Sequence, residues 1–193
     1  AAPGDVSVTV SITPYAWTAD DLTWADANST YTYPRAFDGA ASDIKATLRK
    51  LNSGDNVSVS VSGGTETAVG THTAIATELT GSDAGDYAAI PSPSTFTHSY
   101  EITAAALSFS VATNGTSGVT KAGDTLTATV TSPVSSGVAY AYQWKRDGSP
   151  IAGAALSTYL VTAADAGQDV SVVVTASGSY TGAAESAQVR IVG

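Results

Sequence analysis

The sequence predicts an all-β protein made of two β-sandwich modules in tandem. Three observations lead there. Apolar residues alternate with Ser, Thr or charged residues in one short run after another, as half-buried antiparallel strands require. Clusters of Gly, Asn, Asp and Ser separate those runs and mark turns. No stretch has the apolar spacing of a three-turn helix, and the abundance of Ser, Thr, Val and Gly favours strands and turns.

The runs follow in order. Val6, Val8, Val10 and Ile12 interleave with Ser7, Thr9 and Ser11. Ile44, Ala46 and Leu48 alternate with Lys45 and Thr47; Val57, Val59 and Val61 alternate with serines. Phe96, His98, Tyr100 and Ile102 share one strand face. Further strands are expected at Leu107–Val111, Leu126–Val130, Tyr140–Trp144, Tyr159–Val161, Val170–Val174 and Val189–Ile191. Turn signals lie at Asn52-Ser53-Gly54-Asp55, Gly63-Gly64, Gly81-Ser82-Asp83, Asn114-Gly115, Gly123-Asp124 and Asp147-Gly148.

A strand ending in Ile12-Thr13 has a counterpart ending in Ile102-Thr103, and Asp83-Ala84-Gly85 returns as Asp165-Ala166-Gly167. The 193 residues therefore divide at 104–106 into modules 1–105 and 106–193. Most of the net charge of −9 belongs to the first module. So acidic a chain lacks the basic surface that binds nucleic acid or anionic lipid. Cysteine is absent, which excludes disulfides, thiolate nucleophiles and Cys-based zinc sites. No signal peptide and no apolar run long enough to span a membrane is visible. The missing Met predicts a chain processed or cut from something longer, with any signal peptide and anchor outside this fragment.

Residues 107–192 resemble the bacterial immunoglobulin-like repeats of large surface proteins. The resemblance rests on Tyr142-Gln143-Trp144-Lys145-Arg146-Asp147-Gly148, Ile151-Ala152-Gly153-Ala154, Ser157-Thr158-Tyr159, Thr162-Ala163-Ala164-Asp165-Ala166-Gly167 and Val170–Ala176. Physically, Trp144 should fill the space between sheets, Asp147-Gly148 should turn a hairpin, and Asp165 should cap the turn before the next strand. More faintly, residues 13–103 resemble the YDG/MBG-type repeats of bacterial adhesins. That resemblance is carried by Tyr33-Pro34-Arg35-Ala36-Phe37-Asp38-Gly39, Ser53-Gly54-Asp55, Val69-Gly70-Thr71 and Gly81–Tyr87. Together these resemblances imply two tandem immunoglobulin-like β-sandwich modules of an exported, multi-repeat protein. Neither family implies a shared catalytic residue or a shared ligand.

Chemistry is sparse. His72 and His98 are the two histidines, and no nucleophile elbow accompanies the many serines. His98 falls on an apolar strand phase and reads as a partly buried, hydrogen-bonded residue. Asp20, Asp21 and Asp26 cluster without a calcium-loop spacing and read as a solvated loop; no metal or cofactor is expected. An isopeptide cross-link of the surface-protein type is not expected, because Lys45 lies on a polar strand phase and Asn114 is too close in sequence to Lys121.

The sharpest feature is aromatic. Tyr15, Trp17, Trp24, Tyr31, Tyr33 and Phe37 fall within a short segment. Trp17, Trp24, Tyr31 and Tyr33 are the candidate ligand-binding residues, since exposed rings stack on sugars or anchor protein partners. The competing reading places Trp17, Trp24 and Phe37 in the core, with Tyr31 and Tyr33 flanking a strand. The sequence thus points to a non-enzymatic stalk or spacer at the bacterial cell surface, with an adhesive surface for a host or matrix protein or glycan and with neighbouring repeats as partners. The alternative is a carbohydrate-binding module of a larger secreted or surface protein. An enzyme would need His72 or His98 in a cleft beside a positioned acid.

Overall fold

The computed structural model describes residues 13–28, 35–50, 52–92 and 94–193. The predicted strand Val6–Ile12 and the ring positions Tyr31 and Tyr33 lie outside them. The chain is all-β: among the described residues, the only helical pieces are single 3-10 turns. Among the described residues, no helix is long and apolar enough to cross a membrane. Two compact units form. One holds Gly39–Ile102 with the described residues up to Arg35, and the other holds Thr103–Gly193 with Ala36–Asp38.

In the first unit, β1 (Leu22–Asp26) pairs antiparallel with β3 (Ile44–Leu48), setting Trp24 opposite Ala46. The second sheet runs β2 (Arg35–Ala36), β6 (Thr97–Thr103), β5 (Gly70–Thr80), β4 (Ser58–Ser62). Between the sheets, Leu22, Ala46 and Leu48 meet Val57, Ala76, Tyr87 and Trp17 in a buried cluster. Ile44, Ala74 and Tyr100 form a smaller one. β5 escaped the sequence reading for a physical reason. Its inward residues Ala74 and Ala76 are small, and a bulge opposite Ser60 and Val61 moves the inward phase to Leu79. Strict period-two alternation does not survive such a bulge.

The second unit is the more regular. Its strands are β7 (Ala105–Ala106), β8 (Ser110–Thr113), β9 (Thr125–Thr131), β10 (Val138–Arg146), β11 (Ser149–Pro150), β12 (Thr158–Leu160), β13 (Asp169–Gly178), β14 (Tyr180–Glu185) and β15 (Val189–Arg190). One sheet runs β12-β9-β8; the other runs β11-β10-β13-β14-β7, with β15 on β13. Asp147 and Gly148 close the β10–β11 hairpin with φ of 45° and 78°, the doubly left-handed turn that matches strand twist. Trp144 fills the core between the sheets without exposed surface, among Leu126, Val161, Val170, Val172 and Val174, and its indole N–H donates to Leu156 O at 2.9 Å. Three strands facing a larger sheet over one tryptophan-centred core make an immunoglobulin-like sandwich.

Asn114-Gly115 is not a hairpin turn. Asn114 follows the end of β8, and a long loop separates it from β9. β14 was also missed from sequence, because Thr181-Gly182-Ala183-Ala184 offers little apolar contrast to read.

Candidate functional site

The four candidate ring positions part ways. Trp17 is buried, 8% exposed, with its ring 4.6 Å from Phe96. Its Nε1–H donates to Ala88 O at 2.6 Å, so both the face and the polar edge are occupied. Trp24 is half-buried and stacks on His98, with centroids 5.5 Å apart and planes 12° apart. Tyr31 and Tyr33 lie outside the described residues. Nearby, Tyr15 meets Tyr87 edge-on at 6.3 Å, and Phe37 meets Tyr180 edge-on at 5.5 Å within the second unit.

Both histidines sit on the second sheet of the first unit. His98 engages Trp24 by stacking, where a hydrogen bond was expected. His72 opposes Tyr100 across β5 and β6, and its Nε2 lies 2.7 Å from Ala68 O. No acid is positioned on either ring by these contacts.

Two of the three acids in the 20–26 segment, Asp21 and Asp26, do separate jobs. Asp21 is buried and closes a 3-10 turn: its Oδ2 accepts the Thr18 N–H at 2.9 Å, and its Oδ1 pairs with Arg49 at 2.5 Å. The Thr18 backbone bond holds the Asp21 carboxyl below its ordinary pKa; desolvation opposes this and Arg49 assists it. Asp26, also buried, accepts Asn28 N–H at 2.9 Å. This corrects the solvated-loop reading for Asp21 and Asp26, because each carboxylate is drawn inward by backbone donors. Among the described residues, no three His, Cys, Asp or Glu side chains gather as a metal site would. Lys45 is on the surface and pairs with Asp43 at 2.7 Å.

The strongest polar cluster lies in the second unit, and only part of it was legible. Asp165 ends the 3-10 turn Ala163–Asp165 with no exposed surface. Its Oδ2 accepts Thr162 N–H at 2.7 Å, Thr162 Oγ1–H at 2.8 Å and Tyr159 O–H at 2.8 Å. Its Oδ1 accepts Arg146 Nε–H at 2.6 Å and lies 2.6 Å from the same guanidinium's Nη2. Burial pushes the Asp165 pKa up, but the Thr162, Tyr159 and Arg146 donors outweigh it and leave the carboxyl below its ordinary value. Burial, with the neighbouring carboxylate, raises Tyr159. The Asp165 hydrogen bond raises Arg146.

Beside this cluster opens a cleft of about 360 Å³ lined by Arg146, Ile151, Leu156, Tyr159 and Leu160. Leu156 and Leu160 are 71% and 59% exposed. The charge on its wall is already neutralised by Asp165. No activated nucleophile and no free acid–base pair faces it, so the geometry offers packing rather than chemistry.

No protein-family model matches the chain, and no curated protein matches it. Among solved structures, 89% of the chain aligns with an N-terminal four-Ig-domain fragment of Dscam1 isoform 9.44, at 16% identity and a TM-score of 0.31. The isoform 1.9 fragment aligns over the same share at 13% identity and 0.34. The fibronectin(III)-like modules of Clostridium thermocellum CbhA align with 88% of this chain and 95% of theirs, at 15% identity and 0.30. The chain spans 36% and 37% of the two Dscam1 fragments. The fold class rests on the sheets described above: an all-β chain of immunoglobulin-like sandwiches.

Proposed function

We propose that this chain is a non-enzymatic extracellular segment of a bacterial surface protein, a spacer of two modules (1–105 and 106–193) that forms part of an adhesive surface. One observation carries the reading. Each unit closes its own apolar core, and in each a buried aspartate ties a 3-10 turn to an arginine at or just beyond the end of a strand. Such closure suits a module that must survive outside the cell and be repeated along a stalk. The partners in this reading are neighbouring modules of the parent chain and a host or matrix protein or glycan. Nucleic acid stays excluded by charge. The carbohydrate-binding alternative is not favoured, because the Trp17 ring is consumed by the core.

The test is mechanical and uses the whole chain. Stretched between its ends in a single-molecule force experiment, it should give two separate unfolding events, each releasing roughly 300 Å of chain for about ninety residues. The same chain, immobilised, should hold cells or matrix without converting any substrate. Unfolding without measurable resistance, or turnover of a glycan, overturns the proposal.

A further inference from the structure

The pair Asn114-Gly115 has a chemical liability that the fold masks. Asn114 lies opposite Thr127, one step past the last β8–β9 pair, Thr113 with Ala128. There its side-chain amide takes the place of a peptide group. Thr127 N–H donates to Oδ1 at 2.7 Å, and Nδ2–H donates to Thr125 O at 3.3 Å. At Gly115 a Cβ would stand 2.5 Å from Leu126 Cδ2, with the Val189 methyls at 2.9 and 3.0 Å. A side chain at 115 would therefore have to displace core methyl groups, while the ladder extension uses an amide at 114. Downstream, the loop is tied back: Thr116 N–H donates to Thr120 Oγ1 at 2.9 Å and Gly118 N–H to Arg190 O at 3.0 Å.

An asparagine followed by glycine is a reactive pair, because no side chain hinders the glycine nitrogen. The deprotonated Gly115 nitrogen attacks Asn114 Cγ. The N–Cγ bond forms, the Cγ–Nδ2 bond breaks, and ammonia leaves with the proton. Water then opens the resulting succinimide at either carbonyl, yielding aspartate or isoaspartate. Attack requires Cγ to swing onto the Gly115 nitrogen, and in the folded unit both carbonyl and amine of that amide are held on β9.

We infer that Asn114-Gly115 is a deamidation site that folding of the second unit holds silent and that opening of β8 from β9 exposes. The product is unfavourable to refolding. Aspartate has no donor for Thr125 O, and isoaspartate lengthens the backbone where Gly115 abuts Leu126 and Val189. Each opening of this edge thus carries a chance of irreversible loss.

The test incubates the full chain at mildly alkaline pH, native in one arm and urea-unfolded in the other, and follows residue 114 by peptide-mapping mass spectrometry. Asn52 and Asn56, followed by Ser53 and Val57, serve as internal references. Unfolded, Asn114 should deamidate fastest; folded, it should slow by at least about tenfold, as two intact hydrogen bonds imply. Equal rates in the two arms, or a stable Asn114 in the unfolded chain, overturn the inference. Amide exchange at Thr127 gives a second readout. It should be slow in the native chain and fast after Asn114→Ala, which removes the Oδ1 acceptor; an unchanged rate shows that the side chain is no lock.

Discussion

Asp165 and Arg146 form a one-sided pair: the carboxylate has no exposed surface, while the guanidinium 2.6 Å away is about a third exposed. The charge is thus introduced to the interior from the rim. Tyr159 and Thr162 supply the remaining donors, so the carboxylate is satisfied on both oxygens. Removing any partner leaves a buried charge short of a donor.

Asp165→Ala should destabilise the second unit by about 2–4 kcal/mol, because Tyr159 O–H and Thr162 N–H lose their acceptor while Arg146 can turn to solvent. Urea unfolding followed by Trp144 fluorescence measures it. Asp21→Ala should cost clearly less, because Arg49 is mostly exposed. Equal losses at the two positions would contradict the asymmetry.

Acid should unfold the second unit through the same group. The folded-state pKa of Asp165 lies below its ordinary value, so its contribution is fully present above the ordinary carboxylate range. That contribution disappears as pH falls through the lowered folded value. Denaturation midpoints should therefore be flat from neutrality to about pH 5 and fall below about pH 4. Asp165→Asn should flatten part of that fall.

The two tryptophans of the first unit should behave differently. Trp17→Ala removes a buried ring and its bond to Ala88, and should cost about 3–5 kcal/mol. His98→Ala should strip one face of Trp24, costing about 0.5–1.5 kcal/mol and increasing acrylamide quenching. Quenching unchanged in His98→Ala would remove the stack from consideration.

Gly148→Ala should cost about 1 kcal/mol, because the hairpin holds residue 148 at φ 78°. Thermal unfolding of the full chain reads this loss. Gly54→Ala, where the added methyl meets nothing and no left-handed φ is required, is the control and should change little.

Much of the second unit was readable from residue order. Trp144, Val170, Val172 and Val174 occupy alternate positions of paired strands, and that alternation survives folding as one buried face. Asp147-Gly148 demanded a left-handed turn and makes one. Asp165 was expected to cap a turn, and it does; that Arg146 and Tyr159 would converge on it was not legible, because both come from other strands. The first unit was harder. β5 buries alanines and carries a bulge, and the acids of the 20–26 segment look alike in sequence although two are buried by backbone donors.

Residue order alone sets the period-two pattern, the turn chemistry, the absence of thiol chemistry and the acidic surface, because these depend only on neighbours along the chain and on composition. Folding sets the rest. Trp17 turns inward to Ala88, seventy-one positions away, and Trp24 is capped by His98. Asn114 pairs its side chain with a strand beyond a long loop. Each of these outcomes is a long-range contact between groups that are interchangeable in local pattern, and only packing in three dimensions distinguishes them.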